Sequence, residues 1–308
     1  MTAPAQKAGN AAPDLVVDSL TVRFGGLVAV DSLSFEVWPG EVLSLIGPNG
    51  AGKTTAFNAI TGYVQPTGGT VEYRDVRLTG LPPNRIAEQG LVRTFQKTSV
   101  FGGQSVFENV LIGLHLRQEQ KPWKIIIGLR SVREEEQRMQ DEARNILEFV
   151  GLSHRALEFG GALPYGEQRL LEVAVALAAR PNLLLLDEPV SGMNPSETAS
   201  FMELLARIRG EGVTLLLVEH DMKVVMGVSD RVIVLNQGVL IARGTPAEVR
   251  GNDEVIRAYL GESYRKDKAA SGSKIQQGKA AGTGTAAGKK KRSGVRAAKG
   301  RDTGRAKR

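Results

Sequence analysis

One segment limits this chain more than any other. Gly47-Pro48-Asn49-Gly50-Ala51-Gly52-Lys53-Thr54 fits the pattern G-x-x-x-x-G-K-[ST] without a gap. It follows the apolar run EVLSLI (41–46), which reads as a buried strand, and precedes KTTAFNAITG, which reads as a helix. Eight residues can match such a pattern by chance, but the flanking strand and helix are the context that a phosphate loop requires. Glycines let the backbone curl so that successive N–H groups face anionic oxygens, and the helix N-terminus adds its positive end. Lys53 is expected to reach the outer phosphates of a nucleotide, and the Thr54 hydroxyl to ligate Mg²⁺, with Thr55 continuing the cradle.

The rest of the chain supplies the scaffold such a loop needs. LVVDS, TVRF, GLVAV and SFEV, between Pro13 and Val37, read as four short β-runs. LLLLD (183–187), VTLLLVEH (213–220) and RVIVLN (231–236) read as buried strands, separated by a helical Pro195–Arg209 and a short segment after Asp221. The pattern turns helical from about Val106. In 131–150, Met139, Ala143, Ile146, Leu147 and Val150 recur at helical spacing, and a further helix is expected from about Gly166 to Ala179, stopping before Pro181. Strands alternating with helices predict an α/β fold with a mostly parallel sheet, an antiparallel β edge and an inserted helical lobe at about 100–180. Asp187 ends the four-leucine strand and Glu188 follows it. A carboxylate at the tip of a buried strand is costly unless it meets a cation. The expected partner of Asp187 is metal-bound water beside Thr54, and Glu188 is then placed to act as general base on an attacking water. Read alone, Asp-Glu-Pro could equally be a strand-ending turn.

Charge and composition narrow the class further. Residues 265–308 hold 15 Lys and Arg against two acids, a net of +13, which leaves 25 basic and 31 acidic residues, a net of −6, for 1–264. The basic character therefore belongs to the tail. That tail is rich in Gly, Ala, Ser and Thr, with Ile275 and Val295 its only large aliphatics, so disorder is expected. It reads either as an electrostatic tether to anionic lipid or nucleic acid or as a solvated extension. No aromatic residue interleaves its cations, which argues against base stacking. Residues 1–12 read as a flexible leader without an apolar signal region, and no apolar run exceeds seven residues (Val173 to Ala179). The absence of cysteine excludes disulfides, thiolate metal sites and a Cys nucleophile. These features predict a soluble protein kept inside the cell.

With these residues in place, the stretch from about Asp14 to Gly261 resembles the ATP-binding subunits of ABC transporters, on a P-loop NTPase (RecA-like) core. Arg93-Thr94-Phe95-Gln96 is similar to that family's Q-loop, and the resemblance implies that Gln96 senses Mg²⁺ and the γ-phosphate. Leu163-Pro164-Tyr165-Gly166-Glu167-Gln168-Arg169 stands at the place of the signature motif, Ser191-Gly192-Met193-Asn194 at that of the D-loop, and His220 at that of the switch histidine. The resemblance gives Phe24 the stacking face for adenine. It gives Tyr165, Gly166 and Glu167 contact with the ATP bound by a second subunit. Three departures stand out. Pro164 replaces the signature serine and has neither hydroxyl nor N–H to offer. Asn194 replaces the usual D-loop aspartate, and Phe24 the commoner tyrosine.

Finer likeness points to one branch. VRFGGLVAV, RTFQKTSVFGGQSVFENVLIG and GTPAEVRGNDEVIRAYLGE look like the branched-chain (hydrophobic) amino acid importers. The segment 117–150, with Lys121-Pro122-Trp123, is similar to the longer lobe insertion of one of that system's two ATPases. Trp123 and Ile125–Ile127 could pack in the lobe or face a permease. The resemblance implies an ABC ATP-binding domain over 13–262 followed by the basic tail at 263–308. It implies ATP and Mg²⁺ as ligands and an ATP hydrolase at the cytoplasmic face of the inner membrane. The implied partners are two membrane-spanning permeases, a second ATP-binding subunit in a heterodimer or, as the alternative, a homodimer, and an extracytoplasmic solute-binding protein. Urea or short-amide importers and lipopolysaccharide exporters share parts of the pattern. A soluble ABC ATPase acting on nucleic acid or ribosomes is disfavoured by the single phosphate loop.

Overall fold

A computed structural model describes residues 12–94, 100–115 and 130–259. Gln96, Trp123, Ile125–Ile127 and the basic tail lie outside the described residues, as does the leader except for Ala12.

The four β-runs at the start fold as two long strands, β1 (Leu15–Phe24) and β2 (Leu27–Val37). Each looks broken in sequence because its alternation changes phase in the middle. The register of the β1–β2 pair shifts between Val17 and Leu20, where Ser19 has φ 51°, and again between Leu20 and Val22, opposite Ser32 with φ 51°. The extra residues keep Leu15 and Val17 before the bulge, and Leu20 and Val22 after it, on the buried face. Hydroxyl groups repair the interrupted ladder. Ser34 Oγ accepts from the Ser19 N–H at 2.8 Å, and Thr21 Oγ1 accepts from the Ser32 N–H at 3.1 Å.

β3 (Val42–Ile46) opens the central sheet and runs into the phosphate loop and α1 (Lys53–Ile60). β4 (Gly68–Tyr73) and β5 (Val76–Arg77) complete a four-stranded antiparallel sheet ordered β2-β1-β4-β5. After α2 (Pro83–Glu88) come β6 (Leu91–Arg93), α3 (Val106–His115), α4 (Arg130–Val150) and α5 (Tyr165–Ala178). The chain then returns to the central sheet as β7 (Leu183–Asp187), α6 (Pro195–Gly210), β8 (Thr214–Val218), α7 (Met222–Val228) and β9 (Arg231–Asn236). The antiparallel edge β10 (Val239–Gly244) and α8 (Pro246–Arg250) follow.

The six-stranded sheet has the order β10-β9-β3-β8-β7-β6, and all its pairings are parallel except β10 with β9. It is the α/β architecture expected of a phosphate-loop protein. Both faces of the sheet are covered, which is why its strands read as unbroken apolar runs. Leu183, Leu185, Leu216 and Val218 pack toward α1 and the antiparallel sheet. Leu184, Leu186, Leu215 and Leu217 pack toward the helices on the other side. On α4, Met139, Ala143, Leu147 and Val150 are buried and Ile146 is half-buried, against α3 and α5.

Candidate active site

The loop at the end of β3 is shaped by what cannot fit into it. At Gly47 a Cβ would collide with the Leu235 carbonyl oxygen, and at Gly52, which has φ 100°, with the Ala29 carbonyl oxygen. Larger residues are therefore excluded by neighbouring backbone as well as by torsion. The β9–β10 turn braces the loop from outside, where the Gly238 N–H donates to the Ala51 carbonyl at 2.9 Å. α1 begins at Lys53 with no side-chain cap, so its first N–H groups are left for an anion. Lys53 Nζ lies folded onto the loop, donating to the Gly47 and Pro48 carbonyls at 2.7 and 3.1 Å.

A cleft of about 650 Å³ opens over this loop. Asn49 to Thr55 line it, joined by Phe24 from the end of β1, Glu188 from the end of β7 and Gln237 from the β9–β10 turn. Phe24 is 51% exposed, so its ring is free to stack on a planar group. Leu27, Val28 and Ala29 add an apolar wall beside it. Gln237 carried no sequence signal, because only the fold brings a turn 183 residues after Thr54 back to the loop.

Asp187 lies deeper than Glu188. Its side chain is fully buried, its Oδ2 accepts from Arg93 Nη2 at 2.9 Å, and its Oδ1 has no hydrogen-bond partner. Burial pushes the Asp187 carboxyl above its ordinary value, against the pull of the Arg93 guanidinium. Arg93 also donates to Asn58 Oδ1 at 2.7 Å and Thr61 Oγ1 at 3.1 Å on α1 and its C-cap, and lies over the Phe57 and Tyr63 rings. One side chain thus joins the helix of the phosphate loop to the acidic end of β7. In the sequence Arg93 is only the first residue of Arg93-Thr94-Phe95-Gln96, with no role of its own. A cation at the end of a buried strand was the available signal.

Glu188 has φ 48°, a left-handed conformation that costs a non-glycine residue roughly 1–2 kcal/mol. Its N–H still closes on the Val218 carbonyl at 2.8 Å. The Glu188 Oε1 lies 3.6 Å from His220 Nδ1. Asp187, Glu188 and His220 therefore converge at the ends of neighbouring strands β7 and β8. The orphaned Asp187 Oδ1 and the Thr54 hydroxyl are hard oxygen donors of the kind that suits Mg²⁺.

Tyr165, Gly166 and Glu167 do not line this cleft among the described residues. Pro164 stands at the N-cap of α5, one position before the first turn, and its carbonyl accepts from the Gln168 N–H at 3.0 Å. The Tyr165 hydroxyl accepts from Arg169 Nε and Nη2 at 3.1 and 2.6 Å, and Arg169 Nη1 donates to Glu172 at 2.8 Å. The ring rests on Gly192, where an added Cβ would come within 2.9 Å of it. Glu167 pairs with Arg155 at 3.1 Å. Asn194 caps α6, its Oδ1 accepting from the N–H groups of Ser196 and Glu197 at 2.9 and 3.0 Å. Asparagine caps a helix as well as aspartate does, so the substitution leaves this local role intact.

The family model for the ABC transporter matches residues 30–191, and that for the branched-chain amino acid ATP-binding cassette transporter matches 239–265. The chain is 47% identical over 252 residues to the high-affinity branched-chain amino acid transport ATP-binding protein LivG of Escherichia coli K12, covering 82% of this chain and 99% of the relative. It is 33% identical to the lipopolysaccharide export system ATP-binding protein LptB of the same strain, covering 82% and 98%. In structure it is similar to the ADP conformation of MJ1267, an ATP-binding cassette of an ABC transporter, with TM-score 0.72, 31% identity and coverage of 81% and 99%. Likeness over nearly the full length of each relative, around a phosphate loop at the mouth of a parallel sheet, places this chain in the ABC transporter family as an ATP-binding subunit.

Proposed function

We propose that this chain hydrolyses ATP to drive a membrane importer of branched-chain amino acids. The observation that carries the reading is the 47% identity to LivG across 99% of that protein, against 33% to the export protein LptB. The match of 239–265 to the branched-chain cassette model supports it from a separate segment.

In this reading Phe24 stacks on adenine, and the backbone of Gly47, Pro48, Asn49, Gly50, Ala51 and Gly52 wraps the phosphates. Lys53 leaves the Gly47 and Pro48 carbonyls for the outer phosphates, exchanging two neutral acceptors for anionic ones. Thr54 and Thr55 complete the cradle at the start of α1. Thr54, Asp187 and Gln96 are the residues that would hold Mg²⁺, which when bound supplies positive charge against the phosphates. Glu188 takes the proton of the attacking water, and His220, whose Nδ1 lies 3.6 Å from Glu188 Oε1, orients that carboxylate. Stabilisation of the transferring phosphate is a matter of position and charge, so displacing any of these groups slows the step without changing its chemistry.

Tyr165, Gly166 and Glu167 meet the ATP of a second ATP-binding subunit. The Tyr165 hydroxyl is engaged by Arg169 and Pro164 has none, so the start of α5 offers backbone and ring rather than the serine hydroxyl. The assembly comprises two permeases, this subunit and a related one at the cytoplasmic face, and a solute-binding protein on the other side. Among the described residues no helix is long and apolar enough to cross a membrane, so the transport path is assigned to the permeases. The ATP-binding domain is assigned to 13–262, its helical lobe to about 100–180 and the basic tail to 263–308.

Purification through a tag on this chain tests the reading. Recovery of two permeases and a second ATPase, with hydrolysis stimulated by leucine, isoleucine or valine bound to the co-purified binding protein, is the expected result. Recovery of nucleic acid or ribosomes without a permease would overturn it. Glu188→Gln should retain ATP while hydrolysis falls by roughly 10²–10⁴-fold, since the base is lost and the cradle is not. Normal turnover in that variant would remove Glu188 from the role.

A further inference from the structure

One buried carboxylate beside this site has no task in the mechanism above. Glu219 follows β8, is 0% exposed, and binds backbone on two sides. Its Oε1 accepts from the Val190 N–H at 3.3 Å, and its Oε2 from the His220 and Asp221 N–H groups at 3.1 and 3.5 Å. Val190 lies two residues after Glu188, in the loop that leaves β7, and His220 starts the segment that leaves β8. The carboxylate therefore stands between the two backbones that carry Glu188 and His220, whose side chains face each other at 3.6 Å.

Burying a carboxylate is expensive, and an apolar side chain could fill the same volume. What only a carboxylate provides here is two acceptor ends and no donor. An amide of the same shape would turn an NH₂ toward one of the two sets of N–H groups. We infer that Glu219 is a positioning residue for hydrolysis: a clamp with two ends that holds the His220 backbone in register with the loop carrying Glu188. The inference rests on the roles proposed above for Glu188 and His220.

A double-mutant cycle tests it. Mg-ATP hydrolysis at saturating ATP and ATP binding are measured for the full chain, purified with the subunits that accompany it, carrying Glu219→Gln, His220→Ala or both. Glu219→Gln is expected to lower kcat by about tenfold or more while the KM for ATP moves by less than about twofold, because the phosphate loop is untouched. The double variant is expected to be no slower than His220→Ala alone. Losses that multiply in the double variant would overturn the inference, since Glu219 would then act without His220. Unchanged kcat in Glu219→Gln beside a slow His220→Ala would overturn it alone. A fully active His220→Ala would overturn the role of His220 and the inference with it. If Glu219→Gln fails to fold, seen as lost ATP binding, Glu219→Asp takes its place. It keeps both acceptors, shortens their reach by one methylene, and must show the same loss without multiplication.

Discussion

The start of α1 and the start of α5 are both helix N-termini that the proposed function sets against ATP, yet this chain surrounds them differently. At α1 the environment excludes side chains: a Cβ at Gly47 or Gly52 would strike a carbonyl oxygen, and the helix begins without a side-chain cap. At α5 side chains fill the space. α5 also begins without a side-chain cap, at Pro164, but there the Tyr165 ring covers Gly192 and its hydroxyl is held by Arg169. The first arrangement leaves little room for substitution, because backbone donors cannot be replaced by a different residue's side chain. The second depends on side-chain contacts, chiefly those of Tyr165 with Arg169 and Gly192. The phosphate loop keeps its pattern, while the signature region carries Pro164 and Tyr165.

The largest effect that would sharpen this comparison is expected at Arg93. Arg93→Met strands the buried Asp187 carboxylate and should lower the stability of the nucleotide-free chain by about 3–5 kcal/mol, read from its denaturation midpoint. A loss below about 1 kcal/mol would mean that the phosphate-loop side is less rigidly specified than its contacts imply. Next comes Lys53→Ala, which should weaken ATP binding by roughly 10- to 100-fold through loss of one charged donor, with folding retained. Tyr165→Phe should cost about 1–2 kcal/mol of stability, because Arg169 loses the hydroxyl but keeps Glu172, and should leave this chain's own ATP affinity unchanged. A drop in that affinity would break the separation of the two helix starts. Removing 265–308 should change neither nucleotide affinity nor denaturation midpoint, since every motif precedes it. A large loss of nucleotide affinity would show that the domain extends past 262.

How much of this was legible in advance depended on distance along the chain. Residues that act as one local unit, Gly47 to Thr55, announced themselves because a phosphate loop is written in consecutive letters and its strand and helix adjoin it. The paired acids Asp187-Glu188 were visible for the same reason, as charge ending a run of leucines. The bulges at Ser19 and Ser32 look like breaks between four strands in the sequence, whereas the chain forms two. A phase change in alternation looks the same in sequence whether the chain turns or only inserts a residue. Gln237 and Glu219 gave no usable signal, since one is a turn residue and the other a lone acid until β9, β7 and β8 are set side by side.

From its order of letters alone, this protein has a phosphate loop at the end of a buried strand, acids at the tip of another, and apolar periodicities that demand a sheet covered on both faces. These are local or periodic properties, determined by backbone sterics and by the cost of exposing apolar surface. The tertiary structure decided which groups at the site share a neighbour. It paired Arg93 with Asp187 across 94 positions, turned Glu188 toward His220, and placed the Glu219 carboxylate between two loops. A buried charge carries no sequence mark of its partner, because the partner is chosen by which strands lie adjacent, and adjacency is settled only when the whole sheet has formed.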